Sequence, residues 1–95
     1  MRADRTSSMA VLGIRVHASD NVAIVAADVQ AGDLVRLADG SEVQAVEAIP
    51  RGSKVALGPI ACGEAVVRYG EEIGRATTDI AAGEYVHTHT LAGRR

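Results

Sequence analysis

The fold is decided by a stretch that reads Asp79-Ile80-Ala81-Ala82-Gly83-Glu84-Tyr85-Val86-His87-Thr88-His89-Thr90. Its first eight residues are the third copy of one pattern, after Asp-Val-Gln-Ala-Gly-Asp-Leu-Val at 28–35 and Pro-Ile-Ala-Cys-Gly-Glu-Ala-Val at 59–66. We call this pattern the turn phrase. Asp or Pro opens a turn, and Gly supplies a positive φ without steric cost. Because an acid and a Val then begin a strand, each copy predicts a tight turn that leads into a strand.

Short apolar runs between turn residues predict further strands. They lie at 11–16, 22–26, 33–37, 42–48, 54–57, 65–68, 73–76 and 85–90. The pair Asp39-Gly40 is a strong hairpin signal. No eleven-residue window shows a helical stripe, so we expect at most single helical turns, near Asn21 or Asp79. Ten glycines indicate strongly bent strands. The sequence therefore predicts a compact all-β domain.

Composition limits the class of protein. The 95 residues include no Phe or Trp, and a thin aliphatic core favours docking on a partner or self-association. A net charge of −2 without a basic stripe argues against nucleic acid, and no apolar run approaches the ~20 residues of a membrane span. The one cysteine, Cys62, fits a reducing cytoplasm, and its place in the turn phrase predicts a small packed residue.

The chain ends are expected to lie outside the packed domain. Residues 1–10 lack the apolar core of a signal peptide and are predicted to be a flexible tail, with Met9 as an alternative start. The domain is expected at 11–92. The C-terminal tail is set at 93–95, and fraying is expected from Leu91 onward.

Several polar residues are not required by the turns. On the bland interpretation, Asp20 and Asn21 form a turn, Lys54 is a solvated charge and Tyr69 is a half-buried anchor. Lys54 is, however, the sole lysine of the chain. His17 lies close to Asp20 and Asn21, and His87 and His89 follow the third turn phrase. The candidate set is His17, Asp20, Asn21, Lys54, Tyr69, His87 and His89.

His87 and His89 are spaced so that a strand would place both imidazoles on one face. Neutral imidazole suits divalent metals, but two histidines need at least one further ligand. That ligand is His17 or a carboxylate. A site shared with a partner is therefore favoured over one built by this chain alone.

The clusters in order resemble one family. They are His17-x-x-Asp20-Asn21-Val22-Ala23, then 49–57 around Lys54, then Tyr69-Gly70-x-x-Ile73-Gly74-x-Ala76-Thr77, then Gly83-Glu84-x-Val86-His87-x-His89. Together they look like the SAF domain of the altronate and galactarate dehydratases, over residues 13–91. The resemblance implies the β-clip fold, a long hairpin bent back on itself several times. It also implies a stand-alone small subunit, with the small subunit of sulfolactate sulfo-lyase as a close relative.

The resemblance implies roles as well as a fold. The expected function is the small subunit of a sugar-acid dehydratase, inactive alone, which completes a metal-dependent lyase site with a large catalytic subunit. Catalytic roles are predicted for His17, Lys54 and Tyr69. Substrate binding is predicted for Asp20, Asn21 and Lys54.

The expected cofactor is a divalent metal, iron or manganese, held mainly by the partner subunit. His87 and His89 would be its ligands from this chain, with His17 as a further one. The substrate would be a small hydroxy acid. Two alternatives stay open, which are a sulfolactate sulfo-lyase subunit and a non-catalytic SAF module that binds or docks carbohydrate acids.

Overall fold

The computed structural model describes residues 10–87 and 91–93, which contain nine strands and no helix. The strands are β1 (Ala10–Ile14), β2 (Val22–Val25), β3 (Leu34–Arg36), β4 (Glu42–Gln44), β5 (Lys54–Ala56), β6 (Ala65–Arg68), β7 (Glu71–Ala76), β8 (Tyr85–Val86) and β9 (Leu91–Gly93). The all-β prediction is confirmed, and short strands broken by turns agree with a SAF β-clip. None of the described residues belongs to a helix that could cross a membrane.

Two sheets carry the strands. Six strands lie in the order β4-β3-β1-β2-β5-β8, and three lie in the order β6-β7-β9. All neighbours are antiparallel except β1 and β3, which run parallel. The hairpin predicted at Asp39-Gly40 is present, because β3 pairs with β4 and Gly40 has φ 91°.

The structure corrects four local predictions. The strands expected at 42–48 and 85–90 end at Gln44 and Val86 within the described residues. Residues 91–93 were expected to fray, but they form β9 against β7. Cys62 is exposed rather than packed. The expectation of at most single helical turns is confirmed, since the described residues contain no helix. His89 and the tails at 1–9 and 94–95 lie outside the described residues.

The turn phrase occurs four times, not three. The further copy is Ala-Ile-Pro-Arg-Gly-Ser-Lys-Val at 48–55, in which Ser53 stands where the other copies have an acid. In every copy the Gly N–H donates to the carbonyl of one buried residue, whose own N–H donates to the carbonyl of the residue after the Gly. The four buried partners are Val25, Ala45, Ala56 and Ala76, at N–O distances of 2.8–3.0 Å.

The acid of the phrase has a structural task. The carboxylate of Asp33 accepts the backbone N–H of Gln30 at 2.9 Å. Glu64 and Glu84 accept in the same way from the residue three positions earlier, at 2.8 and 3.1 Å. These bonds satisfy turn donors that have no strand partner. The acids of the phrases therefore close turns.

The four copies form two equivalent units. Gly63 follows Gly32 by 31 residues, and Gly83 follows Gly52 by the same 31. At this offset residues 22–55 correspond to 53–86, with β5 shared between the units. The core follows the same rule, because six buried residues of one cluster have counterparts in the other: Val25 and Ala56, Val29 and Ile60, Val35 and Val66, Ala45 and Ala76, Ile49 and Ile80, Val55 and Val86.

The shared strands carry one core on each face. Along β5, Val55 belongs to the first cluster and Ala56 to the second. Along β2, Ala23 lies in the first cluster and Val22 in the second. Because successive side chains point to opposite faces of a strand, the two cores lie on opposite sides of β2 and β5.

Two glycines with the same φ differ in how closely another backbone segment approaches them, and this difference can be tested by mutation. Gly63 and Gly83 both have φ 88°, but a Cβ at Gly63 meets nothing within 4 Å, whereas a Cβ at Gly83 would overlap the carbonyl oxygen of Gln44. We expect Gly63→Ala to cost about 1–2 kcal/mol from left-handed strain. Gly83→Ala should cost about 1–3 kcal/mol more, because the backbone must move. Urea denaturation of both variants would measure the difference, and equal costs would contradict it.

Candidate functional site

The side chain of Asp20 ties two loops together. One carboxylate oxygen accepts the N–H of Gly70 at 2.8 Å and the other accepts the N–H of His17 at 3.1 Å. Asp20 is buried, with 5% exposure. Burial raises its pKa, but the hydrogen bonds from backbone N–H groups, Gly70 first, outweigh burial and hold the pKa below the usual value. Asp20 therefore keeps its charge and anchors the loop before β2 to the turn between β6 and β7.

Asn21 joins the two sheets. Its side-chain oxygen accepts the N–H of Val67 at 2.8 Å, and its amide nitrogen donates to the carbonyl of Ala65 at 2.9 Å. Its own N–H donates to the carbonyl of Val67, and its carbonyl accepts from Leu57. These contacts give Asn21 a structural role. Substrate binding by Asp20 and Asn21 stays a prediction.

The turn between β6 and β7 presents Tyr69. Arg68 and Glu71 pair directly, so the loop is Tyr69-Gly70, with φ 57° and 77°. Two positive φ values match the type I′ turn, which normally selects Asn or Asp before Gly. A tyrosine there is strained, and its side chain is 53% exposed. Strain at an exposed aromatic residue is a feature of functional sites.

His17 packs beside this turn. A Cβ at Gly70 would lie 3.1 Å from Cδ2 of His17, so any larger residue there would crowd the ring. The backbone N–H of Ser19 donates to Nδ1 of His17 at 3.1 Å. Because a nitrogen that accepts an N–H carries no proton, we assign the ring hydrogen to Nε2. His17 then presents a hydrogen-bond donor.

Lys54 lies in a cleft of about 210 Å³, which is lined by Gly52, Ser53, Lys54, Tyr85, Val86 and His87. Burial lowers the pKa of Lys54, and the nearby positive charge of Arg68 lowers it further. Within residues 10–87, neither a hydrogen bond nor an ion pair reaches its ammonium group. Lys54 is therefore a half-buried cation that a bound anion would stabilise.

Arg68 was missed by the sequence reasoning. Its guanidinium carbon lies 5.0 Å from the centroid of the Tyr69 ring, in a cation–π contact. Its Nε is buried, and no described group accepts its hydrogen. Nine arginines occur in the chain, so composition does not distinguish it. Comparison of the two units is the signal that could have found it, because Arg68 corresponds to Leu37 of the first core.

An apolar stripe lies on the same face as Lys54. Leu12, Ile14 and Val16 are 54%, 46% and 63% exposed, which is unusual for three alternating residues of one segment. Ile14 pairs with Ile24, and Ile24 pairs with Lys54. Directly paired residues share a face, so Ile14 and Lys54 lie on one face two strands apart, about 10 Å.

The described residues do not provide a complete set of ligands for the expected metal. His87 packs against Tyr85 with the two rings tilted by 54° and their centroids 4.6 Å apart. In the part of the chain that the structure describes, no group of three His, Cys, Asp or Glu side chains could hold a metal. The described residues alone therefore do not fit a metal site. The clustering of His17, His87 and His89 stays a prediction.

The structure thus brings the predicted residues into two groups. Asp20, His17 and the Tyr69-Gly70 turn form one group. Lys54 and His87 line the cleft of the other. Arg68 links them, because it contacts Tyr69 and faces the charge of Lys54.

Comparison with known proteins agrees with the resemblance seen in the sequence. The model of the altronate/galactarate dehydratase SAF domain matches residues 11–94. Altronate dehydratase of Escherichia coli is 46% identical over 76 residues, which are 80% of this chain and 15% of that protein. Galactarate dehydratase (L-threo-forming) of the same organism is 44% identical over 77% of this chain and 14% of that protein. This chain therefore spans about a seventh of the length of these relatives.

A shorter relative is named for a different activity. The (2R)-sulfolactate sulfo-lyase subunit alpha of Paracoccus pantotrophus is 43% identical over 47 residues. These residues are 50% of this chain and 70% of that subunit.

The role of Asp20 can be tested through pH. We expect Asp20→Asn to lower the free energy of unfolding at pH 7 by about 1–3 kcal/mol, because the buried carboxylate that accepts two backbone N–H groups loses its charge. A lowered folded pKa contributes stability that is complete above the ordinary value of 3.8 and lost as the pH falls through the folded value. The gap between wild type and variant should therefore close below about pH 4 in urea titrations. Glu71→Gln, an exposed neighbour, is the control, and a gap that persists at low pH would contradict this role.

Proposed function

This chain belongs to the SAF-domain family of the altronate and galactarate dehydratases, and we propose on that premise that it is the small subunit of a lyase acting on a hydroxy acid. It would complete the site of a large catalytic portion. The observation that carries the proposal is Lys54, a half-buried cation without an anionic partner in the described residues, on the same face as an exposed apolar strand. The dehydratase relatives carry a domain of this kind as a small part of a longer chain.

The proposed reaction is an elimination. A proton leaves the carbon beside the substrate carboxylate, the carbon–carbon double bond forms, and a hydroxyl departs from the next carbon as water when it takes up a proton. Negative charge develops on the carboxylate side during this step, so a nearby cation lowers the barrier. Lys54 would bind that carboxylate as a compact point charge. His17 and Tyr69 would donate hydrogen bonds at the rim of the site.

A divalent metal, iron or manganese, would be held mainly by the catalytic portion. The described residues of this chain do not offer three suitable ligands, so none of the steps assigned here is routed through a metal. His87 and His89 would at most add ligands to a site built elsewhere.

A sulfolactate sulfo-lyase subunit is the second candidate. The match covers 70% of the length of the alpha subunit and 50% of this chain. The chemistry differs only in the leaving group, which is sulfite instead of water. A module that binds carbohydrate acids without catalysis is the third. Turnover of altronate, galactarate and (2R)-sulfolactate by the complete enzyme would distinguish the three, and the 95-residue chain alone should turn over none of them.

Lys54 provides the most direct test. In the complete enzyme, Lys54→Ala should lower kcat/KM by at least about tenfold, because the carboxylate loses its cation. Lys54→Arg should not restore the full rate, since the planar guanidinium differs in shape and hydration. Arg36→Ala is the matched control, because Arg36 is exposed at the end of β3 and pairs with Glu42. A wild-type rate for Lys54→Ala in an assembled complex would show that Lys54 is a solvated charge.

The apolar stripe provides a test of assembly. We propose that Leu12, Ile14 and Val16 dock against the catalytic portion, which then covers Lys54 on the same face. Leu12→Asp should abolish co-purification of the two parts, because burying an unpaired carboxylate at an interface is costly. Val46→Asp is the control, since Val46 is 56% exposed but lies outside the stripe. Equal co-purification of both variants would rule out docking through β1.

A further inference from the structure

We propose that Lys54 and Arg68 together form a binding site for one oxyanion group of an organic acid. This inference rests on the proposed function and deepens it, because it adds Arg68 and states which part of the substrate the two cations hold. The ligand chemistry is a carboxylate with two oxygens in one plane.

The two cations stand where the first unit has core residues. At the 31-residue offset of Gly32 and Gly63, Lys54 corresponds to Ala23 and Arg68 to Leu37. Ala23 and Leu37 are both buried in the first cluster. A Cβ at Gly13 would meet both of their side chains, so the two residues border the same space. The second unit has thus replaced two neighbouring apolar side chains with two cations.

The positions of Lys54 and Arg68 on their strands direct both side chains toward the edge of the second hydrophobic cluster. Arg68 follows buried Val66 by two residues on β6, and Lys54 precedes buried Ala56 by two residues on β5. Val66 and Ala56 belong to the second cluster. Because residues two apart on a strand share a face, Lys54 and Arg68 leave their strands on the side of that cluster and meet at its edge. The mutual effect of their charges on the pKa of Lys54 agrees with this placement.

This arrangement is unfavourable without a ligand. Like charges that face each other in a partly buried site repel, and no carboxylate among the described residues pairs with either cation. The buried Nε of Arg68 also lacks an acceptor there. A buried donor without an acceptor calls for an unseen partner. One bound oxyanion would neutralise the repulsion and accept the hydrogen from Nε.

Arg68 and Lys54 would make different contacts with such an anion. The Arg68 guanidinium can donate in parallel to two oxygens of a planar carboxylate, and its cation–π contact with Tyr69 restrains its position. Lys54 adds a compact charge from the neighbouring strand. The positive φ of Tyr69 then has a use, because the turn holds the ring against the guanidinium.

The first experiment uses thermal unfolding of the full 95-residue chain. The variants Arg68→Leu and Lys54→Ala/Arg68→Leu restore the residues of the first unit. Without ligand, we expect both to unfold at the same temperature as wild type or higher, because two facing cations are removed. Altronate, galactarate and (2R)-sulfolactate should raise the melting temperature of wild type and of the control Arg36→Leu, but not of the two site variants. A lower melting temperature of Arg68→Leu without ligand, or equal stabilisation of all proteins by the acids, would overturn the proposal.

Inorganic phosphate is the control that tests whether the site is selective for organic acids or binds any oxyanion. We expect the organic acids to raise the melting temperature of wild type much more than phosphate does at equal concentration. The reason is that the site would recognise the planar carboxylate as well as its charge. Stabilisation by phosphate alone would overturn the assignment to an organic acid.

The second experiment separates this inference from the proposed function. In the complete enzyme, Arg68→Leu should raise KM for the acid that is turned over by at least about tenfold and change kcat less, because a binding contact is lost. Unchanged KM with active enzyme would overturn the role of Arg68 and leave the lyase function intact. Loss of acid-induced stabilisation in the site variants, with no turnover of any of the three acids, would support the site and overturn the lyase function.

Discussion

Two backbone hydrogen bonds, repeated in four places, hold this domain together. In each turn phrase a glycine N–H and the next carbonyl bind the carbonyl and N–H of one buried residue. A turn fixed in this way reverses the chain without a helix and without a large side chain. A domain without Phe or Trp can therefore order its backbone even though its core is thin. The bent β-clip follows from this repeated exchange more than from any long strand.

The sequence predicted the parts of the fold that depend on local chemistry. Gly at a positive φ, an acid that closes its own turn and Asp-Gly in a hairpin are all visible in single stretches. The fourth turn phrase was missed because Ser53 replaces the acid and Pro50-Arg51 replaces two small residues. The strand at Leu91–Gly93 was missed for another reason. Its residues carry no strand signal of their own, and it forms only because β7 offers a free edge.

The residues of the candidate site also fall into those that local sequence could identify and those that depend on long-range contacts. Lys54 was found because it is the only lysine, and His17, Tyr69 and His87 because turns did not explain them. Asp20 and Asn21 were singled out for substrate, but their side chains also bind backbone groups 44 to 50 residues away in the chain. No local pattern reveals such long-range partners. Arg68 looks like an ordinary arginine until it is compared with Leu37 of the other unit.

The shared strand β5 has a consequence for how the domain can come apart. Val55 closes one core and Ala56, the very next residue, closes the other. Neither core can lose its packing without releasing a strand that the other needs, so partial unfolding of one half is suppressed. The two units resemble duplicated modules in sequence, yet the shared strand leads us to expect that they unfold as a single cooperative unit. Such an arrangement resists local opening, and therefore proteolysis, because the two cores depend on a shared strand and not because either core is large.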